Sequence, residues 1–116
     1  MMITLENISE RLSLKCKCCW ENLSREVSGG YAGDLLSDVM ANSTVGNVWV
    51  TRQVHQNIVA VASLKEHAAI IVVQGATPGK ETLDKAAKEG IPILVADMNE
   101  FEVVGRLYRL LHPEQS

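Results

Sequence analysis

The segment QGATPGKET, which begins at Gln74, contains glycines, threonines and a lysine, the residue types of a phosphate-binding loop. Such a loop needs a glycine, four residues and then Gly-Lys-Ser/Thr, so that backbone N–H groups surround the phosphates and the hydroxyl holds Mg²⁺. Here Gln74 occupies the position of the first glycine, and Lys80 is followed by Glu81, which would repel phosphate. The spacing therefore argues against a P-loop and predicts a helix start, with Thr77 as the cap and Pro78 in the first turn.

A second group of polar residues, in VTRQVHQN, lies between a predicted strand and the next predicted helix. It comprises Thr51, Arg52, His55 and Asn57. In an open parallel sheet, small ligands bind outside the carboxyl ends of the strands, where helix N-termini also present free N–H groups to an anion. This corner is therefore our main candidate site for a small anionic metabolite or nucleotide. In the alternative interpretation, Thr51 or Gln53 caps the helix, His55 and Asn57 bond the backbone, and Arg52 is solvated.

Other turns complete the set of candidate ligand-binding residues. Gly29 and Gly30 are expected near the same end of the sheet as Thr51, where the missing Cβ would let backbone approach a neighbour or ligand. The remaining candidates are Gln74, Gly75 and Asp97.

Three cysteines lie close together at Cys16, Cys18 and Cys19. A structural zinc site needs a second, well-separated ligand pair, and the histidines of this sequence are not paired. We interpret the cysteines as small, partly buried apolar side chains, and a redox or metal role stays as the alternative. The sequence also lacks the G-x-S-x-G, G-x-G-x-x-G and H-E-x-x-H motifs. We therefore predict a protein that is not an enzyme, with no catalytic residue, metal or cofactor.

The elements that would position these residues alternate between strand and helix. The apolar runs NVWVT, AAIIVV and IPILVAD are separated by two helix-length segments. Strands that are buried on both faces read as continuous apolar runs, and their alternation with helices predicts a parallel sheet. The predicted fold is α/β: a small sandwich forming a single domain over residues 1–116, with a mainly parallel sheet, a βαβαβ core from about residue 46 to 97, and flanking helices.

Helical periodicity predicts which side chains these helices bury. A first helix follows the cap Thr4, a second follows the cap Asp34, a third lies between the first two core strands, a fourth runs from Pro78 to Gly90, and a fifth ends at His112. Their predicted inward residues are Leu5, Ile8 and Leu12; Leu35, Leu36 and Val39; Val54, Ile58, Val61, Ala62 and Leu64; and Phe101, Val104, Leu107, Tyr108 and Leu111. The stretch 13–33 is irregular, except that LKCKCC is a candidate strand.

The amino-acid composition limits the classes of partner that this protein is expected to bind. The chain has 116 residues, 47% of them hydrophobic, with 11 basic against 14 acidic residues and no basic run, so nucleic-acid binding is not expected. The apolar runs are too short to span a bilayer, and we expect a cytoplasmic protein. Several predicted helices have apolar residues on more than one side, which predicts a homodimer.

The segments GDLLSDVM, VWVTRQVHQNIVAVA and PGKETLDKAAKEGIPIL, with the aromatic-bearing last helix, resemble the DRTGG domain family from Gly29 almost to the C-terminus. The pentapeptide that names the family is not intact here, since EVSGG keeps only its two glycines. The resemblance implies a regulatory domain whose fold is similar to the N-terminal domain of HPr kinase/phosphatase, in which kinase chemistry belongs to a separate P-loop domain.

Two functional hypotheses follow from different classes. The first is a dimerising, non-catalytic regulatory module that senses a small anionic metabolite or nucleotide. The second is a structural module that binds a protein partner and has no small-molecule ligand. A phosphotransferase-associated protein related to HPr kinase is a more distant third.

Overall fold

The structure is a computed structural model that describes residues 2–115. Within this range the chain forms seven strands, five α-helices and two short 3₁₀ turns. The strands are β1 (Ile3–Thr4), β2 (Lys15–Cys18), β3 (Glu26–Val27), β4 (Gly29–Ala32), β5 (Asn47–Thr51), β6 (Ala69–Val72) and β7 (Ile93–Val95). The α-helices are α1 (Leu5–Leu12), α2 (Leu36–Asn42), α3 (Asn57–Leu64), α4 (Lys80–Glu89) and α5 (Glu100–Leu111).

A five-stranded sheet in the order β2-β7-β6-β5-β4 forms the centre of the fold. Strands β4, β5, β6 and β7 are parallel, and β2 pairs antiparallel with β7. The α/β class and the βαβαβ core from β5 to β7 are confirmed, as is the strand in LKCKCC. Strand β4 lies in the stretch that the sequence analysis left irregular.

Helices cover both faces of the sheet, and the alternation of side chains along each strand divides the core in two. Val48 and Val50 pack with α1 and α5 in one cluster. Trp49 points to the opposite face and packs in a second cluster with residues of α2, α3 and α4. Because successive strand residues face opposite sides, a continuous apolar strand supplies both halves of the core.

The predicted first helix is confirmed together with its cap. The Asn7 N–H donates to Thr4 Oγ1 at 3.2 Å, and the Thr4 N–H donates to Asn7 Oδ1 at 3.1 Å. This reciprocal pair satisfies two backbone donors at the helix start. The predicted end of α4 is also confirmed, since Gly90 has a φ of 72°.

Two other predicted caps are wrong. Helix α4 begins after Gly79, which has no side-chain cap, and Thr77 is exposed. Helix α2 begins after Leu35, so Asp34 lies outside the helix and its carboxylate is used elsewhere. At the start of α2 the Asp34 carboxylate bonds Thr51 and Arg52 instead of capping the helix, so a tertiary contact overrides the local capping pattern there.

Several residues predicted to face inward are exposed instead. Leu35 is 68% exposed, Leu64 is 72% exposed, Phe101 is 90% exposed and Tyr108 is 52% exposed. In α5 the fully buried side chains are Val103 and Leu107, one helical turn apart, which places Phe101 on the opposite side of the helix. No helix within residues 2–115 combines the length and the apolar character needed to cross a membrane.

Candidate functional site at the carboxyl edge of the sheet

Asp34 organises the corner that follows β5. Its Oδ1 atom accepts hydrogen bonds from Thr51 Oγ1 and from the Arg52 backbone N–H, both at 2.8 Å. Gln53 joins the same network, because its N–H donates to Thr51 Oγ1 at 3.1 Å and its Nε2 donates to the Asp34 carbonyl at 3.0 Å. The first strand-to-helix turn of the core is therefore held by a carboxylate that comes from the end of β4.

The sequence analysis missed this role of Asp34 because it did not recognise β4. Once β4 is known to lie parallel beside β5, the residues that follow both strands must meet at one edge of the sheet. The short run GGYAGD, with its aromatic residue between glycines, was the available signal for a strand that ends close to Asp34.

His55 and Asn57 form the start of α3. The Asn57 N–H donates to His55 Nδ1 at 3.1 Å, and the next two N–H groups, of Ile58 and Val59, bond to the carbonyls of His55 and Gln56. The first N–H groups of this helix are therefore already paired. This arrangement agrees with the alternative interpretation of His55, in which its ring bonds the backbone.

Gln74, Gly75 and Asp97 are brought together at the same edge. The Gln74 N–H donates to the Met98 carbonyl and the Gly75 N–H donates to the Ala96 carbonyl, both at 2.8 Å. A Cβ built on Gly75 would lie 3.6 Å from Asp97 Oδ1, so the glycine faces the carboxylate. Both Gln74 and Gly75 have a positive φ, of 62° and 65°, which turns the chain sharply after β6.

Gly29 and Gly30 do not belong to this edge, and their predicted placement near Thr51 is wrong. Gly29 pairs with Asn47 and Gly30 pairs with Val48, at the beginning of β5. At about 3.3 Å per residue, Gly29 lies about 13 Å along the strand from the level of Thr51. The glycine-rich stretch forms a strand that runs toward the corner instead of a turn beside it.

The charges of this edge are mixed. Burial and the neighbouring Asp34 raise the pKa of Glu100, the first residue of α5, and Arg52 lowers it. The Arg52 guanidinium makes no hydrogen bond within residues 2–115, and Asp97, which follows β7, is exposed at the same edge of the sheet. The edge thus offers the exposed Arg52 guanidinium for an anionic group, and carboxylates that suit hydroxyl groups.

The glycine-containing segment before α4 does not form a phosphate cradle. Lys80 Nζ lies 2.8 Å from Asp84 Oδ2, one turn along the helix, and Asp84 raises the lysine pKa. The lysine therefore extends along an exposed helix surface, in agreement with the rejection of a P-loop on its spacing.

The cysteines are held as packed side chains. Cys18 and Cys19 are buried, and their Sγ atoms point at the carbonyls of Ile91 and Ala86, at 3.5 and 3.6 Å. Burial raises the pKa of all three thiols, that of Cys19 to about 12, which favours the unreactive protonated form. Within residues 2–115 no three His, Cys, Asp or Glu side chains are grouped closely enough to hold a metal ion.

Comparison with known proteins shows the fold. No protein-family model and no curated protein matches the chain. Among solved structures, it is similar to the regulatory region of Clostridium perfringens pyrophosphatase, which contains CBS and DRTGG domains and was crystallised with its activator, diadenosine tetraphosphate. The TM-score is 0.73 at 20% sequence identity, over 90% of this chain and 45% of that chain. The chain thus shares the fold of part of that region, and it spans less than half of the region's length.

Proposed function

We propose that this chain is a non-catalytic regulatory domain of the DRTGG type that binds a nucleotide or a related anionic metabolite. The observation that carries the proposal is the match of 90% of the chain to a regulatory region crystallised with a dinucleotide activator. The segments that resemble DRTGG domains, including the VWVTRQVHQN run at the corner, support the same assignment.

The carboxyl edge is the proposed ligand site. A nucleotide carries phosphates and ribose hydroxyls, and the edge has one group for each: the exposed Arg52 guanidinium for a phosphate, and the Asp97 carboxylate for a hydroxyl. Asp34 contributes indirectly, because its bond to the Arg52 backbone holds the turn in place without using the guanidinium.

A thermal-shift screen of ATP, diadenosine tetraphosphate and inorganic phosphate tests the proposal. A ligand at a hundred times its dissociation constant that binds only the native state adds about 2.7 kcal/mol of stability, which is readily measured. Arg52→Ala should abolish the shift, and Lys88→Ala, which removes an exposed cation from the far end of α4, is the matched control. If the Arg52→Ala variant still shows the increase in melting temperature with nucleotide, the ligand binds elsewhere on the protein. If none of these compounds changes the melting temperature of the parent protein, nucleotide binding is contradicted.

Assembly into a homodimer is the second part of the proposal. The two edges of the sheet differ: β2 carries Lys15 and Lys17, whereas β4 is uncharged and leaves its outer backbone groups without a strand partner within residues 2–115. Charged edge strands resist pairing with another chain, and uncharged ones favour it. Two copies of β4 would then pair about a two-fold axis.

Light scattering tests this assembly. A lysine at Ala32, which is exposed on β4, should convert a dimer to a monomer, and Ala87→Lys on the exposed side of α4 should leave the mass unchanged. A parent protein that is already a monomer at micromolar concentration contradicts the dimer.

A protein-binding module without a small-molecule ligand is the second candidate. The observation that favours it is the exposure of Phe101, 90% of whose surface is accessible on α5. This candidate predicts no thermal shift with nucleotides, and a protein complex that Phe101→Ser weakens.

A further inference from the structure

A concave surface of about 580 Å³ lies between α1 and α5, on the face of the sheet opposite α3 and α4. We call it the three-arginine cavity. It is lined by Arg11, Arg106 and Arg109, together with Met2, Ile3, Asn7, Glu10, Leu12, Leu110 and Pro113. Its volume is within the range of about 300–1,000 Å³ that is typical of small-molecule sites.

The arginines give the cavity an excess of positive charge. Arg106 is paired with Glu102, with 2.7 Å between Nε and Oε2, and Glu10 adds one acidic group to the lining. The guanidinium groups of Arg11 and Arg109 make neither a hydrogen bond nor an ion pair with any residue in the range 2–115. Two guanidinium groups from different helices are therefore available to one ligand.

Each of these two arginines also has a structural explanation. Arg11 and Arg109 lie in the last turns of α1 and α5, where a cation interacts favourably with the helix dipole. That effect accounts for a basic residue on each helix separately. The helix dipole does not explain why the two arginine side chains, from helices α1 and α5, line the same cavity.

The floor of the cavity is apolar. Leu12 is 3% exposed, and Ile3 and Leu110 pack against the same core cluster. Guanidinium groups bind carboxylate, sulfate or phosphate groups through paired N–H donors, whereas an aliphatic floor binds hydrocarbon. The combination selects an anion with an apolar part over a bare inorganic ion.

The cavity is separate from the proposed nucleotide site. Helix α5 begins at the carboxyl edge with Glu100, and Arg109 lies about 13 Å further along the helix axis, at 1.5 Å per residue. The cavity therefore shares no lining residue with the proposed nucleotide site, and each site can be tested with variants that leave the other intact.

We propose that the three-arginine cavity binds an organic anion that combines a carboxylate, sulfate or phosphate group with an apolar chain or ring. The probe is 8-anilinonaphthalene-1-sulfonate, a fluorescent aromatic sulfonate, titrated into the full chain at neutral pH. Arg11→Gln and Arg109→Gln should each weaken its binding by about tenfold, because each removes a hydrogen bond to a charged group. Both arginines are exposed, so these variants should fold, and an unchanged circular dichroism spectrum and Tm verify this.

Arg52→Gln is the matched control and should leave binding of the probe unchanged. Decanoate should compete with the probe, and inorganic phosphate at the same concentration should not. Equal affinity of the parent, Arg11→Gln and Arg109→Gln proteins overturns the proposal, and so does equal competition by phosphate, since the apolar floor would then contribute nothing. Loss of the nucleotide shift in Arg52→Ala with full probe binding shows that the two sites are independent.

Discussion

Acidification should destabilise this fold through one buried histidine. His67 is only 2% exposed, its Nε2 lies 2.8 Å from Ser43 Oγ, and its ring meets Trp49 edge-on at a centroid distance of 5.7 Å. Its Nδ1 atom has no hydrogen-bond partner within residues 2–115. A proton on this ring would therefore create a buried charge with a single neutral partner.

The surroundings of His67 set the direction of the effect. Burial, and then the positive charge of Lys65, lower the pKa of His67 from 6.5 to about 4. The adjacent concave surface also carries charged side chains of both signs, namely Arg25, Glu26, Glu66 and Glu89. Between pH 6.5 and pH 4 the unfolded chain binds a proton at this position and the folded chain does not, so stability falls as the pH falls through this window.

The magnitude follows from the two pKa values. With about 1.4 kcal/mol for each pKa unit, the loss attributable to His67 is roughly 2 kcal/mol at pH 5 and roughly 3 kcal/mol at pH 4. Above pH 7 the histidine is neutral in both states and contributes no pH dependence. This is a large fraction of the 5–15 kcal/mol or so that stabilises an ordinary domain.

Urea unfolding followed by tryptophan fluorescence at pH 7, 6, 5 and 4 measures the effect. The carboxylates contribute their own pH dependence, so the quantity to compare is the stability difference between the parent and His67→Gln. That difference should shrink or reverse by roughly 3 kcal/mol between pH 7 and pH 4. His55→Gln, a substitution at an exposed histidine, should retain the acid-dependent loss of the parent. A constant difference between the parent and His67→Gln across this range refutes the reasoning.

Three further predictions concern stability and reactivity. Gly46→Ala should destabilise the fold by roughly 1–3 kcal/mol, because Gly46 has a φ of 81° and a Cβ there would lie 2.7 Å from Ser28 Oγ. Gly105→Ala should stabilise it by about 0.5–1 kcal/mol, because Gly105 lies in mid-helix and a Cβ there would have no atom within 4 Å. Urea titration measures both changes in unfolding free energy, and equal effects of the two substitutions contradict the steric argument. Cys19 should react with iodoacetamide at pH 8 only after denaturation, since burial raises its pKa to about 12. Mass spectrometry measures the labelling, and rapid labelling of Cys19 in the native protein would contradict this prediction. Lys80→Ala should leave the denaturation midpoint and any affinity for Mg-ATP unchanged, and a loss of ATP affinity in calorimetry would restore the phosphate-loop interpretation.

Much of the fold was predictable because its signals are local. Three continuous apolar runs with helices between them indicated the parallel core, and Thr4 with Asn7 indicated the first helix and its cap. The rejection of a P-loop also depended only on spacing within one segment. Patterns of this kind involve only a few neighbouring residues and can be recognised in a single sequence.

The candidate sites were predictable only in part, because they join distant segments. The Thr51 corner was expected at the carboxyl end of a strand, and Thr51 is the last residue of β5. Gln74, Gly75 and Asp97 were candidates without an expected position, and the structure brings them together at the same edge of the sheet. Gly29 was placed at the wrong end, because its strand was not recognised. Phe101 was assigned to the wrong side of α5, because helical periodicity in so apolar a segment fits more than one face.

By itself, then, the sequence determined the fold class, the order of the core elements and the absence of a phosphate-loop motif, all of which depend on periodicity and local spacing. Only the tertiary structure decided that Asp34 holds the turn at Thr51, and that arginines near opposite ends of the chain, Arg11 and Arg109, share one cavity. Such contacts depend on which strands are neighbours and which helices share a face of the sheet. Burial of the whole core decides that arrangement, and no short segment encodes it.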